Sequence, residues 1–193
     1  MTLAAPAAVL SSAVPSVAPS DRVRAAVDAH YDAIWRFLRR MGVAERDTED
    51  AAQQVFLVFS QRASSVGAGA ERSFLFGTAL RVASDARKKR SRLREVMVDD
   101  ERELDGVHPA PGAQHVVEGR QLLACVDRVL AQMPAELREA FILAHLEELT
   151  MAEVARALSI PEGTVASRLR RARAVFEEHA LALRASFEKG SLL

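Results

Sequence analysis

Residues 150–176 read TMAEVARALSIPEGTVASRLRRARAVF. Thr150 is followed three places on by Glu153, the spacing of a capping box, so a helix starts here. The apolar pattern runs to Leu158, breaks at Ser159-Ile160, and resumes behind Pro161, a residue suited to a helix start. In the second segment Val165, Leu169, Ala172 and Phe176 recur at steps of four, three and four, which is one helix face. Thr164, Ser167, Arg168, Arg170, Arg171 and Arg173 fall on the other faces, and residues 164–176 contain no acid. Two helices joined by so tight a turn, the second basic, predict a helix-turn-helix. In that motif the second helix lies in the major groove while its apolar stripe holds the bundle. Arginine suits the outer face because its fork binds guanine O6 and N7 together, or grips phosphate. The competing reading is a solvated helix whose arginines are paired with carboxylates at i,i+4, and the absence of any acid within residues 164–176 weighs against it.

Outward from this stretch, the 26 Lys and Arg residues are balanced by 26 Asp and Glu residues, so placement of charge matters and its sum does not. RVASDARKKRSRLR, residues 81–94, is densely basic, and EVMVDDERELDGVHPAPG, residues 95–112, is acidic and ends in proline and glycine. That switch marks a boundary. Sparse Gly and Pro with abundant Ala, Leu, Arg and Glu predict an all-α chain of two small helical domains. The expected division is a disordered tail over 1–20, a first domain over 21–94, a flexible acidic linker over 95–115, a second domain over 116–183 and a C-terminal tail over 184–193. The N-terminus lacks the basic start of a signal peptide and carries prolines at 6, 15 and 19. With no run of eighteen apolar residues, a cytoplasmic protein without a membrane span is expected. The single cysteine, Cys125, excludes an internal disulfide and is read as core.

In the first domain Ser20-Asp21 are candidate caps for a helix carrying Val27, Tyr31, Ile34, Leu38 and Met41, and Gly42 stops it. A second helix starts at Asp47, with Ala52, Val55, Phe56 and Phe59 as its stripe. SSVGAGA, residues 64–70, is a flexible loop by composition, and a third helix follows from Glu71 to Arg92. The second domain opens with a helix over 116–131, and another follows Pro134 with Leu137, Phe141 and Ala144. No Gly-rich phosphate loop, paired metal-spaced histidines or Ser/His/Asp pattern occurs, so no enzyme, cofactor or metal is expected.

The run MPAELREAFILAHLEELTMAEVARALSIPEGTVASRLRRARAVFE closely resembles region 4 of extracytoplasmic-function (ECF) sigma factors. DTEDAAQQVFLVFSQ, followed by SFLFGTALRVASDARKKR, resembles their region 2, in the same order and spacing. The resemblance implies a bacterial initiation factor that binds core RNA polymerase and directs it to promoters with minus-ten and minus-thirty-five elements, in duplex and melted form. An anti-sigma factor is expected as a further partner.

By that resemblance Asp47, Asp50, Gln53 and Phe56 match the helix that grips the polymerase clamp, Phe56 itself reading as core and Asp47 also as a cap. Arg62, Ser64, Ser65, Phe74, Arg81, Arg87, Lys88 and Arg90 match the part that captures and melts the minus-ten element. Capture of a single strand needs backbone access and a cationic track, which small loop residues and basic side chains supply. Phe74 stands where many members have tryptophan, and Leu80-Arg81 where many have Arg-Asn. Thr164, Ser167, Arg168, Arg170 and Arg171 match the minus-thirty-five surface, with Ala166 where many relatives carry a basic residue. The acidic linker would thread toward the RNA exit path, and the two domains would be hinged and weakly packed when free. The other readings are a stand-alone helix-turn-helix regulator of duplex DNA, and an interaction module that sequesters polymerase or an anti-sigma factor.

Overall fold

The computed structural model describes residues 19–96 and 125–188, and all their regular structure is helical. Three long helices come first: α1, Pro19–Arg40; α2, Glu45–Arg62; and α3, Glu71–Val96. Then come α4, helical over 125–132, and α5, Ala135–Phe141, which runs into a π-helical turn, Ile142–Leu146. The pair α6, Met151–Leu158, and α7, Glu162–Glu188, completes the order. Residues 1–18 of the expected 1–20 tail, residues 97–115 of the expected 95–115 linker, residues 116–124 and the end from 189 lie outside the described residues, while residues 19–20 belong to α1 and 95–96 to α3.

Several helix starts differ from the sequence expectation. α1 already includes Ser20 and Asp21, so Asp21 sits in the first turn, where a carboxylate suits the helix dipole, and does not cap from outside. α2 begins two residues before Asp47: Ala44 is its extended N-cap, with no side-chain cap, and Glu45 and Asp47 share the first turn. Gly42 ends the α1 segment with φ 87°, a value that favours glycine. The helix after Pro134 is not uniformly α. Its π turn changes the register so that Ile142 and Leu143 are both fully buried while His145 is exposed. α3 and α7 run further than expected, to Val96 and Glu188. Cys125 is half-buried and takes a long contact from Arg128 at 3.7 Å, so it is not core.

The first three helices pack around Ile34, Phe37, Leu38, Val55, Phe59, Leu75 and Phe76, and Phe37 meets Phe76 edge-to-face at 5.1 Å. The second group packs around Leu130, Leu137, Ile142, Leu143, Val154, Val165 and Leu169. These two groups form one continuous core, contrary to the expectation of weakly packed domains. The reason is a close crossing of α3 on α6. A Cβ at Gly77 would stand 2.9 Å from the Ala157 carbonyl oxygen, so only glycine permits the approach. Polar links flank the crossing. Arg40 reaches Asp127 at 3.1 Å and the buried Glu147 at 3.6 Å, and Arg72 donates to the Glu147 carbonyl. Burial pushes the Glu147 carboxyl up, against the pull of Arg40, Arg36 and Arg72.

Candidate nucleic-acid and polymerase interfaces

α7 is oriented by its buried stripe and by the turn before it. Val165 and Ala172 are fully buried, Leu169 nearly so, and half-buried Phe176 stacks on Phe141 at 4.8 Å. The turn depends on the α6 cap, in which Thr150 and Glu153 bond reciprocally, and on Ser159, which takes the left-handed conformation at φ 56°. The Ile160 amide closes the turn by donating to the Ala155 carbonyl at 3.0 Å. Arg170 and Arg171 project into solvent, and Thr164, Ser167 and Arg168 are partly covered. The Ser167 hydroxyl donates back to the Thr164 carbonyl at 2.9 Å. Arg168 lies 3.5 Å from Glu136 on α5, a carboxylate too remote in sequence for a helix-face count to find. Arg173 donates from Nε to His145 Nε2 at 3.2 Å. Burial and then Arg173 lower the His145 pKa.

A second surface lies between α2 and α3. Gln54, Val58 and Arg62 face Phe74, Thr78, Arg81, Val82 and Asp85 across an open groove of about 370 Å³. Three of the expected minus-ten residues, Arg62, Phe74 and Arg81, thus share one wall-lined space. Ser64 and Ser65 are exposed in the adjoining loop, and Lys88 continues the Arg81 side of α3, 3.9 Å from Asp85. Arg87 does not join them: it donates to the Met41 carbonyl at 2.7 Å and braces the corner after α1. Arg90 is half-buried farther along α3. Gln54, Val58, Thr78, Val82 and Asp85 also line the groove and were not expected from the sequence. Their alternation between core-like and polar types hides a groove that only the pairing of two helices creates.

The outer face of α2 carries Asp47, Asp50 and Gln53, all exposed, and Leu57, which is 52% exposed although apolar. Phe56 is 7% exposed and stacks on Tyr31 at 6.0 Å, so it holds α2 in place and does not present itself to a partner. Among the described residues there is no cluster of three or more His, Cys, Asp or Glu placed to hold a metal, and no helix long and apolar enough to cross a membrane.

A family model described as "Sigma-70, region 4" matches residues 123–175, a stretch that takes in α4, α5, α6 and the first half of α7. SigL, an ECF RNA polymerase sigma factor of Mycobacterium tuberculosis, is 30% identical over 149 residues, covering 76% of this chain and 82% of that protein. SigE of Mycolicibacterium smegmatis is 26% identical over 148 residues, 76% of this chain but only 57% of SigE. The fold is similar to that of the sigma factor RpoE solved with the anti-sigma factor NepR from Bartonella quintana, with a TM-score of 0.66 at 21% identity over 81% of this chain and 95% of that one. It is similar too to CnrH solved with the cytosolic domain of CnrY, with a TM-score of 0.60 at 22% identity over 85% of this chain and 92% of that one. A helix-turn-helix unit docked on a three-helix unit, with basic and acidic faces on different helices, is the architecture of a sigma factor. The chain belongs to the family of ECF RNA polymerase sigma factors.

Proposed function

We propose that this chain binds core RNA polymerase through the exposed face of α2 and directs it to promoters. Asp47, Asp50 and Gln53 offer charge and hydrogen bonds to a basic partner, and Leu57 extends that face with apolar area. The groove between α2 and α3, with Arg62, Phe74 and Arg81, receives the melted minus-ten strand, a base stacking on the aromatic ring while guanidiniums follow the backbone. α7 enters the major groove of the minus-thirty-five element with Arg170 and Arg171 outward and Thr164, Ser167 and Arg168 beside them. Polymerase supplies the chemistry, and this protein supplies recognition and melting. An anti-sigma partner is proposed because both structural relatives were solved with such a partner or with a second protein's domain.

One observation supports this reading most: three chemically different faces, acidic on α2, grooved between α2 and α3, and basic on α7, sit on separate elements of one fold. A gel shift on promoter DNA with and without core polymerase tests it. A shift that needs polymerase is expected. A sequence-specific shift by the chain alone, unchanged by polymerase, would make it a stand-alone regulator instead.

A further inference from the structure

The segment between α2 and α3 is small and glycine-rich, a composition that predicts a loop without fixed shape, yet it is held by one side chain from a distant part of the chain. Arg22, in the first turns of α1, donates from Nη1 to the Ala63 carbonyl at 2.7 Å. Its Nη2 donates to the Val66 carbonyl at 2.7 Å and the Gly67 carbonyl at 3.0 Å. The same guanidinium grips Glu71 Oε1 with Nε at 2.9 Å and Nη2 at 2.6 Å. Glu71 opens α3, so one planar group ties together the end of α2, the loop and the start of α3. Both partners are largely shielded, at 23% and 22% exposure. Burial pushes the Glu71 carboxyl up, but bonds from its own amide, from Arg22 and from the Gly69 amide outweigh this and leave it lowered and charged.

The fork matters more than the charge. An ammonium has three donors at one point, whereas a guanidinium has five in a plane and can serve separated carbonyls at once. Three loop carbonyls therefore point inward at Arg22, and the exposed Ser64, Ser65 and Gly67 are presented outward beside Arg62 and the groove. Arg22 itself faces the loop from behind and is not one of the groove-lining residues.

We propose that Arg22 is a positioning residue for single-strand capture: it holds the 63–70 loop in the shape that receives an unstacked minus-ten base. This rests on the minus-ten reading of the groove given above. Preorganisation is the physical gain, since a loop ordered before binding loses less entropy when DNA arrives.

The test uses full-length protein assembled with core polymerase and a single-stranded DNA pool randomised over one short window, with bound strands sequenced. Wild type is expected to enrich a motif. Arg22→Ala should keep core affinity and helicity, lower single-strand affinity by about tenfold, the order of one lost base contact, and flatten the preference at one position of the motif. Arg22→Lys should fall nearly as far, because charge alone cannot span the carbonyls. Glu71→Gln, which keeps an acceptor for the fork, should lose less. Wild-type enrichment retained by Arg22→Ala, or full rescue by Arg22→Lys, would overturn the inference while leaving the groove reading intact. No enrichment by wild type would overturn the groove reading and this inference with it. A loss of core affinity and helicity equal to the loss of DNA capture would make Arg22 a fold residue only, and would likewise overturn it.

Discussion

Arg171 and Arg168 are neighbours on α7 but differ in freedom. Arg171 is exposed, while Arg168 leans on Glu136. The Glu136 carboxylate is itself largely in water, so the pair is worth no more than about 1 kcal/mol and opens readily for DNA. Arg171→Ala should cost about 1–3 kcal/mol of promoter affinity and relax preference at one base pair, if its fork meets guanine. Titration against single-base promoter variants over a range of salt checks this; an even loss across variants with a shallower salt slope would assign Arg171 to phosphate instead. Glu153 gives a pH prediction. Bonds from the Thr150 amide and hydroxyl lower its pKa, against a smaller contribution from burial. The unfolded chain then binds the proton more readily than the folded one. The stabilisation is therefore complete above the ordinary glutamate value and is lost as pH falls through the lowered folded value. Glu153→Gln should flatten the acid-side fall in stability, read from urea midpoints between about pH 3 and pH 6.

At the scale of elements, α7 stands or falls with its stripe. Leu169→Asp would put a carboxylate at a site 5% exposed and should unfold the α5–α7 group, costing upwards of about 4 kcal/mol. Circular dichroism and urea unfolding should both report it, whereas Arg171→Ala should leave them unchanged. The stripe, the α6 cap and the Gly42 stop were legible because each depends on residues within one or two helical turns. The π turn was not, since Leu137, Phe141 and Ala144 fit an unbroken helix, and the change of register is set by burying Ile142 and Leu143 together. The site divides the same way. Exposed Asp50, Gln53, Arg170 and Arg171 follow from being off the apolar stripes. The groove, the bracing role of Arg87, the Glu136 contact and the Arg22 clasp all depend on pairing between helices far apart in the chain, which no local pattern encodes.

For the whole molecule, the continuous core sets a geometric problem. Minus-ten and minus-thirty-five elements lie about 25 base pairs apart, or about 85 Å at 3.4 Å per step. A compact chain of this length is only about 40–45 Å across. On the proposed reading of both elements, the two groups of helices are expected to part at α3 and α6. Gly77→Leu, which drives a side chain into the Ala157 carbonyl, should separate them: the hydrodynamic radius rises while helix content holds. An unchanged radius in a stable Gly77→Leu protein would contradict the role given to this crossing. The chain is proposed to join polymerase and choose its start sites. Mapping transcript 5′ ends made in vitro by core polymerase from fragmented genomic DNA, with and without the chain, tests it most directly. A discrete set of starts is expected that appears only with the chain, each preceded by the same pair of elements, and is lost with Asp50→Arg. The same scattered starts with and without the chain, under conditions where it is folded and in excess, would contradict it.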